Sequence, residues 1–425
     1  MAETRFLLRN GYVVDTEPLP VARPATDVLI EGDRIVEVGP GLSADGATVI
    51  DATDRIVLPG FVDTHRHLWQ TAVRAGAVDL DLGAYMGVVL GRYGPRFRPQ
   101  DVHAATLVGG LEALDAGVTT LIDYSHALHT PEHADAAVDA LHTAGLRAVL
   151  GYGFPVRGEH GPDDVRRIRS GRLHDDQARV TMALAPLGPS FSPIETVTAD
   201  WQLADELDLP LTLHVSSGPV ATRPITALRE HGLLRANTLY VHGNSLDDDE
   251  LKLIAESGGT ASVTPATEAQ MGVGAPVAGR LRNVGVTVGL GADAVSSLPG
   301  DMFSVMRAAL LASQIADDSP LTAGDVLKMA TLDGAAALGL ADRIGSLRPG
   351  KQADVILLRL SDLNMLTAER DPIGAVVTAA NADNVDTVLV AGQIVKAGGK
   401  LVHGDVAQAA RALRATAAAV NVDDH

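Results

Sequence analysis

Eight short apolar runs, each followed by an alanine-rich helical stretch, constrain this chain more than any other feature. They read IVLPGFVDTH, GVTTLIDYSH, RAVLGYGF, RVTMALAP, PLTLHVSS, TLYVHGNS, GTASVTPA and TVGLGADA. The runs are rich in β-branched residues and nearly continuous in hydrophobicity, as strands covered on both faces must be. Helical segments such as TLVGGLEALDAG and HADAAVDALHTAG stand between them and close on glycine, which ends a helix at positive φ without strain. Eight strand–helix units in succession predict an α/β fold, a (β/α)8 TIM-like barrel over residues 58–345. A doubly wound open sheet is the competing arrangement, but no glycine-rich phosphate loop follows an early strand to favour it.

The two chain ends read differently. FLLRNGYVVDTE, DVLIEGDRIVEVG and ATVIDATDRIVL at the start, with ADVILLRL and DTVLVAGQIVKAGGK near the end, alternate apolar and polar positions around turn residues. They predict a small β-sandwich built from residues 1–57 and 346–405, leaving a C-terminal helix and tail over 406–425. Two inserts interrupt the barrel. Residues 75–101 follow the first strand and so reach the face where barrel enzymes keep their sites, as a lid would. Residues 155–177 read as a surface excursion.

Composition removes several function classes. A formal charge of −19 opposes nonspecific binding to nucleic acid or to an anionic membrane. No run reaches the roughly 18 apolar residues of a membrane span, and the N-terminus lacks a basic block followed by an apolar one. A cytoplasmic protein is expected. With no cysteine, any metal must sit on nitrogen and oxygen ligands.

Side chains i and i+2 on a strand share a face, so His65 and His67 project together at the end of the first run. His214, His242 and Asp293 close the fifth, sixth and eighth runs. In a barrel those strand ends converge on one mouth, where imidazoles and a carboxylate make a metal cage.

On PGFVDTHRHLWQ, GVTTLID, LTLHV, LYVHGN, GLGADA and DRIGSLRPGKQADVIL, the chain resembles the amidohydrolase superfamily, in its cytosine deaminase, guanine deaminase and triazine hydrolase-like branch. The resemblance spans nearly the whole length. It implies a divalent ion held by His65, His67, His214 and Asp293, with His242 beside the ion's water and the substrate or serving as a fifth ligand. Members with two ions bridge them through a lysine or glutamate on strand four. RVTMALAP carries neither, and the first lysine of the chain is Lys252, so one ion is expected. Zinc is the expected ion, and iron accepts the same ligand types. Barrels of this family often pair, so a homodimer is expected.

The resemblance also implies the chemistry: an ion-activated water attacks a carbon bonded to nitrogen in a cyclic amidine, amide or N-heterocycle, and Asp293 carries the proton. One residue departs from the pattern. Where deaminases of this branch have a glutamate three residues after the strand-five histidine, this chain has Ser217, whose hydroxyl cannot do that acid–base work. Glu268 after strand seven either takes over or simply favours the start of its helix. Gln70, His126, Ser217 and Trp69 are the candidate substrate contacts, with Tyr85 and Met86 as further wall residues. The departure leaves room for other leaving groups at the same site, a halide on an azine ring or a peptide released from an amidine, so the partner is a small molecule or a modified peptide. A noncatalytic binding protein on the same barrel is the remaining class, and the intact ligand set argues against it.

Overall fold

The computed structural model describes residues 4–155, 161–215, 220–316, 320–402 and 405–421. The chain opens with five strands, β1 Arg5–Asp15, β2 Val21–Glu31, β3 Arg34–Gly39, β4 Thr48–Asp51 and β5 Arg55–Pro59. Eight more follow: β6 Phe61–Arg66, β7 Val118–Ser125, β8 Arg147–Gly153, β9 Val180–Ala185, β10 Leu211–Val215, β11 Thr238–His242, β12 Thr260–Val263 and β13 Val288–Leu290. The last four are β14 Val355–Arg359, β15 Val385–Val390, β16 Gln393–Ala397 and β17 Lys400–Leu401.

Strands β6 to β13 pair parallel in sequence order and form the TIM-like barrel. All residues of β6, β7 and β8 are buried, the pattern of strands packed on both faces. The barrel closes at the C-terminal ends of its first and last strands. There the Asp293 amide donates to the His65 carbonyl at 2.8 Å, and the His67 amide donates to the Asp293 carbonyl at 3.2 Å. Closure of the fold and assembly of the candidate ligands are thus one event.

Both chain ends build a single mixed sheet in the order β17-β16-β15-β14-β5-β1-β2-β3, with β4 paired to β1. Its two halves meet where β5 runs antiparallel to β14, Val57 opposite Leu357. The first apolar run is therefore two strands. It divides at Gly60, where the chain leaves the mixed sheet and enters the barrel. A Cβ on Gly60 would stand 2.1 Å from Thr119 Oγ1 and 2.3 Å from its Cγ2, and Thr119 is buried and stiff about χ1. Gly60→Ala is expected to cost about 1–3 kcal/mol through this overpacking, read as a lower urea midpoint with unchanged m-value.

The insert after β6 folds into the helix Leu82–Tyr85, a π-helical segment Met86–Tyr93 and the short 3-10 turn Gly94–Arg96. His129 Nε2 donates to the Gly94 carbonyl and His133 Nε2 to the Phe97 carbonyl, each at 3.0 Å, so the insert is pinned to the loop after β7 and to the helix Pro131–Ala144 that follows it. The helix Val406–Val420 lies on the helix Pro99–Asp115, where Thr416 Oγ1 donates to Asp101 at 2.8 Å. Among the described residues no helix is long and apolar enough to cross a membrane.

Candidate active site

His65 lies near the end of β6 and His67 directly after it, His214 lies in β10, His242 ends β11, and Asp293 follows β13. The fold brings all five together. His65 Nε2 stands 3.2 Å from His214 Nε2 and 3.4 Å from Asp293 Oδ1. His67 Nε2 is 3.1 Å from the same oxygen, and His242 Nε2 is 4.0 Å from Asp293 Oδ2. His242 and Asp293 adopt φ of +71° and +58°, left-handed values that are uncommon outside glycine and turn both side chains out of strand alternation.

Hydrogen bonds decide which ring nitrogens carry protons. His67 Nδ1 lies 2.7 Å from the Tyr124 carbonyl, which only accepts, so Nδ1 carries a proton and Nε2 is the nitrogen turned to Asp293. Burial lowers His65 to about 4, and burial with the neighbouring imidazoles pushes His214 well below its ordinary range, so both rings are neutral and offer lone pairs. Burial opposes ionisation of Asp293, but the His65 and His67 rings outweigh it and hold this carboxyl well below the usual range. Donor atoms of His65, His67 and His214, and those of His65, His242 and Asp293, lie within 4.8 Å of one another. This nitrogen and oxygen donor set fits one divalent ion.

Further groups set the frame. Asp63 accepts the Ala292 amide at 3.0 Å, and Asp123 accepts the Leu68 amide at 3.0 Å, bracing the backbone around the ligands. Burial raises both carboxyls to about 6. Thr264 Oγ1 lies 3.3 Å from Asp293 Oδ2 and 3.2 Å from His242 Nδ1. Asn244 Nδ2 donates to Glu268 Oε2 at 3.1 Å. Thr264 and Asn244 carry no sequence signature, because a lone threonine or asparagine at a strand end is commonplace. Thr264 does share one signal with the ligands, a polar side chain directly after an apolar run.

The candidates fall into two groups. Glu268 sits at the start of its helix and beside His242. Its Oε1 accepts the Thr264 amide at 2.7 Å at the start of the helix Pro265–Met271 and also faces His242 Nδ1 at 3.3 Å. Burial opposes a charged His242, but Glu268 and Asp293 outweigh it and raise that ring above its ordinary pKa. His126 lines the cavity above the ligands and stacks on His67, centroids 4.4 Å apart. Trp69 and Gln70 do not line it. Both are buried in the 3-10 turn Leu68–Val73, with Trp69 Nε1 donating to His126 and the Gln70 amide held between Ser296 and Tyr85. The residues they hold, His126 and Tyr85, do line the cavity. Ser217 lies outside the described residues.

The cavity over these groups has a volume of about 210 Å³. Its floor is His67, His214, His242 and Asp293, and its walls are mostly apolar: Leu82, Met86 and Leu90 from the insert, with Leu187, Phe191, Met271 and Val273 opposite. Gln270 Nε2 donates to the Leu80 carbonyl at 3.0 Å and ties the two walls together.

A sequence profile of the amidohydrolase family matches residues 56–395. The chain belongs to the amidohydrolase family. This amidohydrolase is accordingly an enzyme, a metal-dependent hydrolase of carbon–nitrogen bonds other than peptide bonds. It is 32% identical over 424 residues to a 5-methylthioadenosine/S-adenosylhomocysteine deaminase of Desulforudis audaxviator, covering 94% of this chain and 95% of that one. It is 33% identical over 394 residues to a 5′-deoxyadenosine deaminase of Methanothermobacter thermautotrophicus, covering 88% and 90%. Among solved structures, an adenosine deaminase from Xanthomonas campestris with bound zinc superposes with a TM-score of 0.86 at 28% identity, over 98% of each chain. The zinc complex of an atrazine chlorohydrolase from Arthrobacter aurescens shares the fold, with a TM-score of 0.87 at 24% identity over 97% of this chain and 100% of that one.

Proposed function

We propose that this amidohydrolase uses one ion to hydrolyse the C–N bond of a cyclic amidine, the N=C–N unit of an amino-substituted N-heterocycle. His65, His67, His214 and Asp293 would hold the ion, with His242 beside it and within reach as a fifth ligand. The observation that carries this reading is the convergence of His67 Nε2 and Asp293 Oδ1, 3.1 Å apart at the floor of an apolar cavity, with donor atoms of His65, His214 and His242 beside them. Neutral imidazoles and a carboxylate suit zinc, the ion bound in the adenosine deaminase neighbour, and iron is the alternative.

A divalent ion bound there supplies Lewis-acid activation of water. The rest is done by side chains. Asp293 Oδ2 faces the cavity and takes the nucleophile's proton. His242, its Nδ1 held by Glu268 and Thr264, keeps Nε2 towards the reacting carbon and stabilises charge that develops on the attacked substrate. His242 Nε2 lies 4.0 Å from Asp293 Oδ2, so both groups reach the same reacting centre from neighbouring sides. Proton return to the departing nitrogen runs from Asp293, with Glu268 next in line through His242. The apolar walls exclude water and leave the floor as the polar end of the cavity.

The relatives named as deaminases of 5-methylthioadenosine and 5′-deoxyadenosine direct the first assay to those nucleosides, alongside non-nucleoside amidines. Ammonia release is expected from zinc-loaded protein and is expected to fall ~100-fold or more after chelation, returning on reloading. Equal turnover without metal would overturn the reading. So would a loaded protein that frees no ammonia from any amidine but releases chloride from a chloro-azine.

A further inference from the structure

The imidazole of His126 has only one way to share its proton. Trp69 Nε1, which can only donate, lies 3.2 Å from His126 Nδ1, so Nδ1 is an acceptor and the single proton of the neutral ring sits on Nε2. That N–H has no protein partner among the described residues, and the ring lines the cavity directly above the ligand histidines. Its plane is fixed too. His126 stacks on His67 at 4.4 Å with 27° between the rings, and lies within 8° of parallel to His214 at 6.2 Å. Trp69 in turn is 1% exposed and meets Phe97 edge to face, centroids 5.0 Å apart. It belongs to the same 3-10 turn that leaves ligand His67, so the donor and the ligand set are built by one stretch of backbone.

We infer that His126 is a substrate-binding residue locked as an Nε2–H donor by Trp69, and that the substrate therefore carries a hydrogen-bond acceptor, a ring nitrogen or a carbonyl oxygen, beside the carbon that is attacked. This rests on the reading of the site given above and narrows it. A neutral His126 cannot serve as a base towards the cavity, because its only lone pair is spent on the Trp69 N–H. It selects instead: a ligand with C–H at that position leaves a buried donor unpaired, which costs far more than a missing contact. Trp69 is the positioning residue, acting only through His126.

The probes are 5′-deoxyadenosine and its 1-, 3- and 7-deaza analogues, each replacing one ring nitrogen by C–H, titrated into zinc-loaded protein by calorimetry. Wild type is expected to lose about 10-fold or more in affinity for the 1-deaza analogue, which lacks the ring nitrogen bonded to the attacked carbon, and a loss confined to the 3- or 7-deaza analogue would place the acceptor elsewhere and overturn the inference. In His126→Phe that difference should vanish, because donor and acceptor belong to one cycle. Trp69→Phe keeps the aromatic ring but frees Nδ1. It should raise KM about 10-fold with kcat within about threefold and full metal content. Nitrogen NMR of His126 in metal-free protein reads the lock without any turnover: an Nε2–H tautomer in wild type, a mixture in Trp69→Phe. An Nδ1–H tautomer in wild type, equal losses for all three analogues, or an unchanged KM in Trp69→Phe would each overturn the inference. A probe that binds with this pattern yet releases no ammonia would count against the proposed reaction and leave the donor assignment standing.

Discussion

Asp293→Asn is expected to remain folded, to lose its bound ion, and to turn over on the order of 10²–10⁴-fold more slowly than wild type. The expectation of a folded variant follows from the backbone. Barrel closure uses the Asp293 amide on the His65 carbonyl and the Asp293 carbonyl on the His67 amide, and neither bond involves the side chain. The expectation of lost metal follows from charge. The carboxylate stands 3.4 and 3.1 Å from His65 and His67, and an amide offers the ion one neutral oxygen in its place. Turnover falls for a second reason, since the proton acceptor goes with the charge. Elemental analysis of dialysed protein and initial rates of ammonia release check both halves, and circular dichroism checks the fold. A variant that keeps a full equivalent of metal and wild-type rates would remove Asp293 from the site.

The candidate ligands were legible because each follows one rule, a polar side chain at the C-terminal end of an apolar run. Strand alternation places His65 with His67, and the parallel barrel does the rest for His214, His242 and Asp293. Residues just past His67 were less legible. Trp69 and Gln70 sit in a 3-10 turn, where alternation no longer tells which way a side chain points, and both turn into the protein behind the cavity wall. The split of the first run at Gly60 was hidden for a similar reason. Hydrophobicity is continuous across it, and only the close approach of Thr119 shows that the chain changes sheets there. Glu268 could be read two ways from sequence, and the structure shows its helix-start contact with the Thr264 amide together with its place beside His242. The eight barrel strands themselves were visible in full, since burial on both faces writes itself directly into composition.

Arg147→Met is expected to destabilise the protein by about 3–5 kcal/mol, although Arg147 touches nothing in the cavity. Arg147 opens β8, and its Nε and Nη2 donate to the two oxygens of Asp354 at 3.0 and 3.3 Å, just ahead of β14. Both side chains are 2% exposed, so the pair ties the barrel to the mixed sheet away from solvent. Methionine fills much of the arginine's stem but leaves the Asp354 carboxylate buried without its cation, and that orphaned charge is the source of the loss. The same reasoning predicts its cure. Asp354 Oδ1 also accepts the Ala391 amide at 2.7 Å, a bond that asparagine's oxygen can keep. Adding Asp354→Asn to Arg147→Met removes the charge and retains that acceptor, so it should recover most of the stability. Urea unfolding of wild type, single and double variants measures the cycle, and kcat at low temperature should stay within about twofold in all three because the ligand cluster is untouched. A loss below about 1 kcal/mol in the single variant, or a double variant no more stable than the single, would show that the joint between sheet and barrel is held by apolar packing and not by this ion pair.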